Sequence, residues 1–156
     1  MTPAIQSAYA GLAILGNWIA QLDDDRIERG FAWHEYADAT RAFTTNAPTA
    51  PYGSLPNLCI AATRQTTLDP GFPAAQLMGH RVSIEQTIVH TTRDAATSVG
   101  GANWSGEIRE RFAADFLVVD TKVHRVPVAR LLTARAVLTV SGGRVTFRWR
   151  DLAAWI

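Results

Sequence analysis

The tripeptide Ser141-Gly142-Gly143 constrains this chain more than any other feature, because it separates two alternating runs, Val126–Val140 and Arg144–Asp151. Glycines that accept positive φ, set between runs of period two, predict a β-hairpin. That hairpin commits the C-terminal part of the chain to an antiparallel sheet. Ile108–Val119 alternates in the same way, and Arg81–Thr92, with Val82, Ile84 and Ile88 on one face, reads as another strand.

The N-terminal half has a different period. Leu12, Leu15, Trp18, Ile19 and Leu22 recur at helical spacing within Ala4–Leu22. A second helix is expected over Arg26–Tyr36 behind an Asp25 cap, and a third over Ser54–Thr67 with Ser54 as its cap. Between them Asp38–Thr45 has strand character, with Arg41 and Phe43 on the same side. The stretches 46–53 and 69–73 are broken by proline and glycine. Helices followed by consecutive strands predict one α+β domain over all 156 residues, with the helices on one face of a curved antiparallel sheet and a pocket between them.

Charge and cysteine content narrow the function. Lys plus Arg number 15 against 14 for Asp plus Glu, a net charge of +1, so neither a nucleic acid nor a polybasic membrane contact is expected as partner. Cys59 is the only cysteine, which excludes an internal disulfide and a cysteine-rich metal site. No run approaches the roughly 18 apolar residues of a membrane span. The opening Met1-Thr-Pro-Ala lacks a basic leader, and a cytoplasmic location is expected.

Several titratable groups fall on apolar faces. Strict alternation in the last strand puts Arg144, Thr146, Arg148 and Arg150 on one side and Val145, Phe147, Trp149 and Asp151 on the other. Asp151 is thus either a pocket acid or a strand end reaching water. His80 and His90 share a face with Val82, Ile84, Gln86 and Ile88 if that run is a strand. Two such histidines are candidates for proton transfer or for hydrogen-bonded core positions. The spacing His80-x9-His90 matches no metal site, so no metal and no organic cofactor is expected. Asp23 lies at the edge of the first helical stripe, and Arg111 and Asp115 form a potential charge pair, in a pocket or on the surface. Phosphate loops, nucleophile elbows and dinucleotide fingerprints are absent.

The runs Trp18-Ile-Ala-Gln-Leu-Asp23 and Trp33-His-Glu-Tyr-Ala-Asp38-Ala-Thr, then His80-Arg-Val-Ser83 and Gly143–Asp151, resemble in their order the SnoaL-like proteins of the nuclear transport factor 2-like superfamily. The resemblance implies a cone-shaped α+β barrel of the cystatin-like type. It also implies a cofactor-independent acid–base enzyme, a dehydratase, isomerase or polyketide cyclase, acting on a small apolar, cyclic or polyketide-like substrate. In the scytalone dehydratase-like branch His80 is base and acid and Asp23 orients it, with Asp151 as a pocket carboxylate. Trp18, His90, Phe147 and Trp149 are then walls of the substrate site. A limonene epoxide hydrolase-like branch is the alternative, carried by Asn46-Ala-Pro48, Arg111 and Trp149-Arg-Asp151. There Arg111 bridges Asp115 and Asp151, although the Arg–Asp spacing is stretched and needs a bulge. The superfamily also contains non-catalytic binding and assembly subunits, and the apolar face of Ile108–Val118 suits a homodimer.

Overall fold

A computed structural model of the chain describes residues 4–5, 20–29, 32, 35, 39–44, 53–64 and 78–150. The α+β class holds. Among the described residues the elements run β1 (Ala4–Ile5), α1 (Asp24–Glu28), β2 (Ala42–Phe43), α2 (Ser54–Thr63), α3 (Ile84–Thr91), α4 (Arg93–Ser98), β3 (Phe116–Val119), β4 (Ala136–Ser141) and β5 (Arg144–Arg148). Short 3-10 turns lie at Met78–His80 and Val128–Leu132. No helix among the described residues is long and apolar enough to cross a membrane.

Two sheets form. β1 and β2 pair in parallel, and β3-β4-β5 make an open antiparallel sheet. The expected hairpin joins β4 to β5 through Gly142 and Gly143, both at positive φ (54° and 75°). L-residues avoid that region, and a two-residue turn of this hand needs it twice. The Asp115 carboxylate accepts the Gly142 N–H at 2.6 Å and clamps the turn.

A bulge changes which side chains share a face. Thr139 stands opposite Phe147, but Val140 stands opposite Val145, so Thr146 is the extra residue. Directly opposed residues share a face. Phe147 therefore lies with Leu117 and Thr139, while Val145 lies with Phe116 and Val140. The strict alternation expected for this strand fails at that point.

The larger departure is at residues 81–92, where the chain forms helix α3 instead of a strand. Ser83 begins it with a capping box: Gln86 N–H donates to Ser83 Oγ (3.1 Å) and Ser83 N–H donates to Gln86 Oε1 (3.4 Å). Ile84 and Ile88, four apart, then face the core formed by α2 and the 128–132 turn. Leu58, Cys59 and Leu131 are its buried centre. Pro56 is tolerated in the first turn of α2, where its missing N–H has no helical partner to lose. Val82 N–H donates to Ala61 O at 3.1 Å and ties the start of α3 to α2.

Candidate functional site

β2 packs across the α3–α4 pair, and this contact builds the most developed polar cluster in the described chain. Helix α3 stops at Thr92, whose backbone (φ −112°, ψ −83°) leaves the helical region, and α4 restarts at Arg93. His90 from the last turn of α3 and Asp94 from the first turn of α4 remain four residues apart and on one side. Asp94 Oδ2 lies 2.6 Å from His90 Nδ1. From the opposite wall, just before β2, Arg41 Nε–H donates to His90 Nε2 at 2.9 Å.

This arrangement fixes the proton. A guanidinium can only donate, so His90 Nε2 is the acceptor, Nδ1 carries the hydrogen, and that hydrogen goes to Asp94. The imidazole is the neutral bridge between a buried cation and a buried carboxylate. Arg41 is fully buried, His90 is 3 % exposed and Asp94 6 %. Phe43 closes one side with its ring edge-on to His90, centroids 5.5 Å apart. Burial holds the His90 pKa below its ordinary value; the bond to Asp94 opposes that shift and the Arg41 charge adds to it. Burial likewise lowers Arg41, against the attraction of Asp94.

A cavity of about 290 Å³ opens beside the cluster, lined by Thr40, Glu85, Gln86, His90, Arg93 and Asp94 among others. The Arg93 side chain is 55 % exposed, and its Nε lies 3.4 Å from Asp94 Oδ1. Glu85 sits in the first turn of α3, where a backbone N–H holds its carboxyl below the usual range. The cavity thus offers a guanidinium, a carboxylate, a carboxamide and a hydroxyl around a rigid buried base.

Of the residues singled out in the sequence, His90 lines this cavity. Its companion His80 ends a 3-10 turn, half-buried, and does not share a strand face with it. Asp23 is the cap of α1: its 65 % exposed carboxylate accepts the Arg26 N–H at 3.0 Å. Asp115 is engaged by the hairpin turn, and Arg111 occupies an exposed bend at φ 67°. Phe147 and Trp149 are 44 % and 38 % exposed on the sheet, with the Arg135 guanidinium 6.0 Å above the Trp149 ring. Trp18, Asn46 and Asp151 lie outside the described residues. Asp94 and Arg93 fall just past the alternating run Arg81–Thr92, in a glycine-bearing stretch, 93–107, that reads as a loop or a bent strand and gives them no face. The i, i+4 spacing of His90 and Asp94 is the signal that a helical reading exposes.

A model of the amidohydrolase family matches residues 22–147 of the 156. No curated protein and no solved structure matches the chain. The family match overturns the resemblance to SnoaL-like proteins, and with it the dehydratase, isomerase and polyketide cyclase activities. The epoxide hydrolase alternative falls with it. The physical reason is visible at His80-Arg-Val-Ser83, which carried the resemblance as the opening of a long strand and is instead the cap of a helix. The matched family is metal-dependent and of the TIM-barrel type. Among the described residues no group of three His, Cys, Asp or Glu side chains is arranged to hold a metal. His90 offers neither nitrogen to one, since Arg41 and Asp94 occupy both. The described residues do not fit a metal centre.

Proposed function

The chain belongs to the amidohydrolase family, and we propose that it hydrolyses an amide-type bond of a polar substrate seated in the cavity beside His90. The observation that carries this reading is that the match over residues 22–147 includes every residue lining that cavity. In this reading the half-exposed Arg93 guanidinium donates to the carbonyl oxygen, where negative charge develops as water adds. The Glu85 carboxylate takes a proton from the water as its oxygen bonds to the carbonyl carbon and returns it to the nitrogen as the C–N bond breaks. Gln86 and Thr40 supply further hydrogen bonds. His90 is a positioning residue, because its basic nitrogen is already occupied. It locks Asp94, and Asp94 holds Arg93 at the cavity wall. The charged and amide lining favours a polar substrate over the apolar one expected from the sequence.

The test is turnover of a panel of N-acyl amino acids and anilides by the full chain, with and without added zinc, in wild type and Arg93→Ala. Amide cleavage by wild type and a fall in kcat/KM of about 100-fold in the variant, with the circular dichroism spectrum retained, is the expected result. Absence of turnover in wild type under both conditions, or an unaffected Arg93→Ala, overturns it.

A further inference from the structure

The matched family is metal-dependent, and the described residues do not fit a metal centre. The cluster at His90 gives that disagreement a cause. A histidine that holds a metal gives one ring nitrogen to the cation and donates the N–H of the other to a carboxylate or carbonyl, which fixes its tautomer. His90 has both halves of that pattern. Its Nδ1–H goes to Asp94 Oδ2 at 2.6 Å, and a positive group stands at Nε2, the Arg41 guanidinium, with its Nε at 2.9 Å. Asp94 and His90 are therefore set as a carboxylate–histidine ligand pair would be, and an arginine takes the cation's position.

The arginine and a metal exclude each other. Neutral imidazole has one acceptor lone pair, and the Arg41 Nε–H uses it. A zinc ion on that lone pair would sit about 2.0–2.1 Å from Nε2, inside the span that the Arg41 N–H now fills. To admit one, Arg41 would have to leave a fully buried position. Its surroundings oppose that. Arg41 and Phe43, two residues apart, both flank His90, and the guanidinium carbon lies 5.9 Å from the Phe43 ring centroid. Asp94 supplies the counter-charge across the imidazole. The positive charge at His90 is thus part of the polypeptide rather than a bound species.

We propose that Arg41 takes the place of a divalent transition metal at the Asp94–His90 pair, which makes this cluster a metal-free centre with a latent ligand pair beneath the guanidinium. Removing the guanidinium frees Nε2 toward such a cation, because Asp94 already holds the ring in the tautomer that presents a lone pair there. The proposal concerns the cluster and holds whether or not the adjoining cavity cleaves an amide.

The experiment follows the histidine ring nitrogens of the full isotope-labelled chain by NMR while zinc is added. In wild type His90 is expected to show the Nδ1–H tautomer and no zinc-dependent change. In Arg41→Ala zinc should shift His90 Nε2. Arg41→His adds a second imidazole on the facing wall, and equilibrium dialysis should give it at least about tenfold tighter zinc binding than wild type. Adding His90→Gln to that variant should abolish the gain. Arg41→Met keeps much of the buried volume without a donor, and it replaces Arg41→Ala if circular dichroism shows the alanine variant unfolded. A zinc-dependent change at His90 in wild type, or the other tautomer, overturns the proposal. So does a His90 ring that stays silent to zinc in a folded variant lacking the guanidinium, because the arginine would then not be what keeps the metal out.

Discussion

At the scale of single residues, His90 is defined by what its two nitrogens already do. The sequence showed that Arg41 and Phe43 point the same way, and both reach His90. Asp94 was not visible, because a carboxylate four residues on matters only if the backbone is helical. The buried neutral imidazole has a pH consequence. Its folded pKa lies below the ordinary 6.5. Below that value the unfolded chain takes up a proton that the folded chain refuses, so stability falls as the pH drops from 6.5 towards the folded pKa. Urea titrations between pH 7.5 and 5 are expected to show that loss. His90→Gln should be less stable at pH 7.5 but lose less on acidification. A variant whose stability falls as steeply as wild type would contradict the assignment.

Among the elements, α3 is where reading and structure part. Val82, Ile84, Ile88 and His90 satisfy a period of two, yet Ile84 and Ile88 equally satisfy a helical turn. The deciding information was local: a serine three residues before a glutamine, which closes a capping box. The hairpin turn was legible because Gly142 and Gly143 state their own backbone requirement, but the strand expected over Val126–Val140 begins only at Ala136, behind the 3-10 turn at Val128–Leu132. The bulge beside the hairpin turn was not legible, since Thr146 carries no signal of its own. A further element-level constraint is Gly106, at φ 91° against α4. A Cβ there would stand 2.8 Å from Ala96 Cβ and 2.9 Å from Arg93 Cα. Gly106→Ala is expected to cost about 3 kcal/mol in urea unfolding, from overpacking and unfavourable φ together. Because the clash falls on Arg93, it should also lower turnover; a neutral variant would mean that the loop yields freely.

For the molecule as a whole, the order of helices before strands gave the α+β class, while the partner of each face depended on contacts far apart in sequence. The core is the clearest case. Leu131 is fully buried against Leu58 and Cys59 although its 3-10 turn has no amphipathic repeat to announce it. Leu131→Ala is expected to lower unfolding free energy by about 3 kcal/mol, read from denaturant midpoints. An effect below about 1 kcal/mol would show that the site collapses around the smaller side chain.

That same contact orders events in time. Joining Leu58 to Leu131 closes a loop of roughly 70 residues, an entropic toll that local turns do not face. The glycine hairpin and the capped helix can nucleate by themselves, whereas His90 and Asp94 lie inside the long loop and their opposite wall, Arg41 and Phe43, lies before it, so the cluster settles only when the loop shuts. A ribosome that has not yet released residue 131 therefore holds a chain whose recognition groups are all synthesised and not yet assembled.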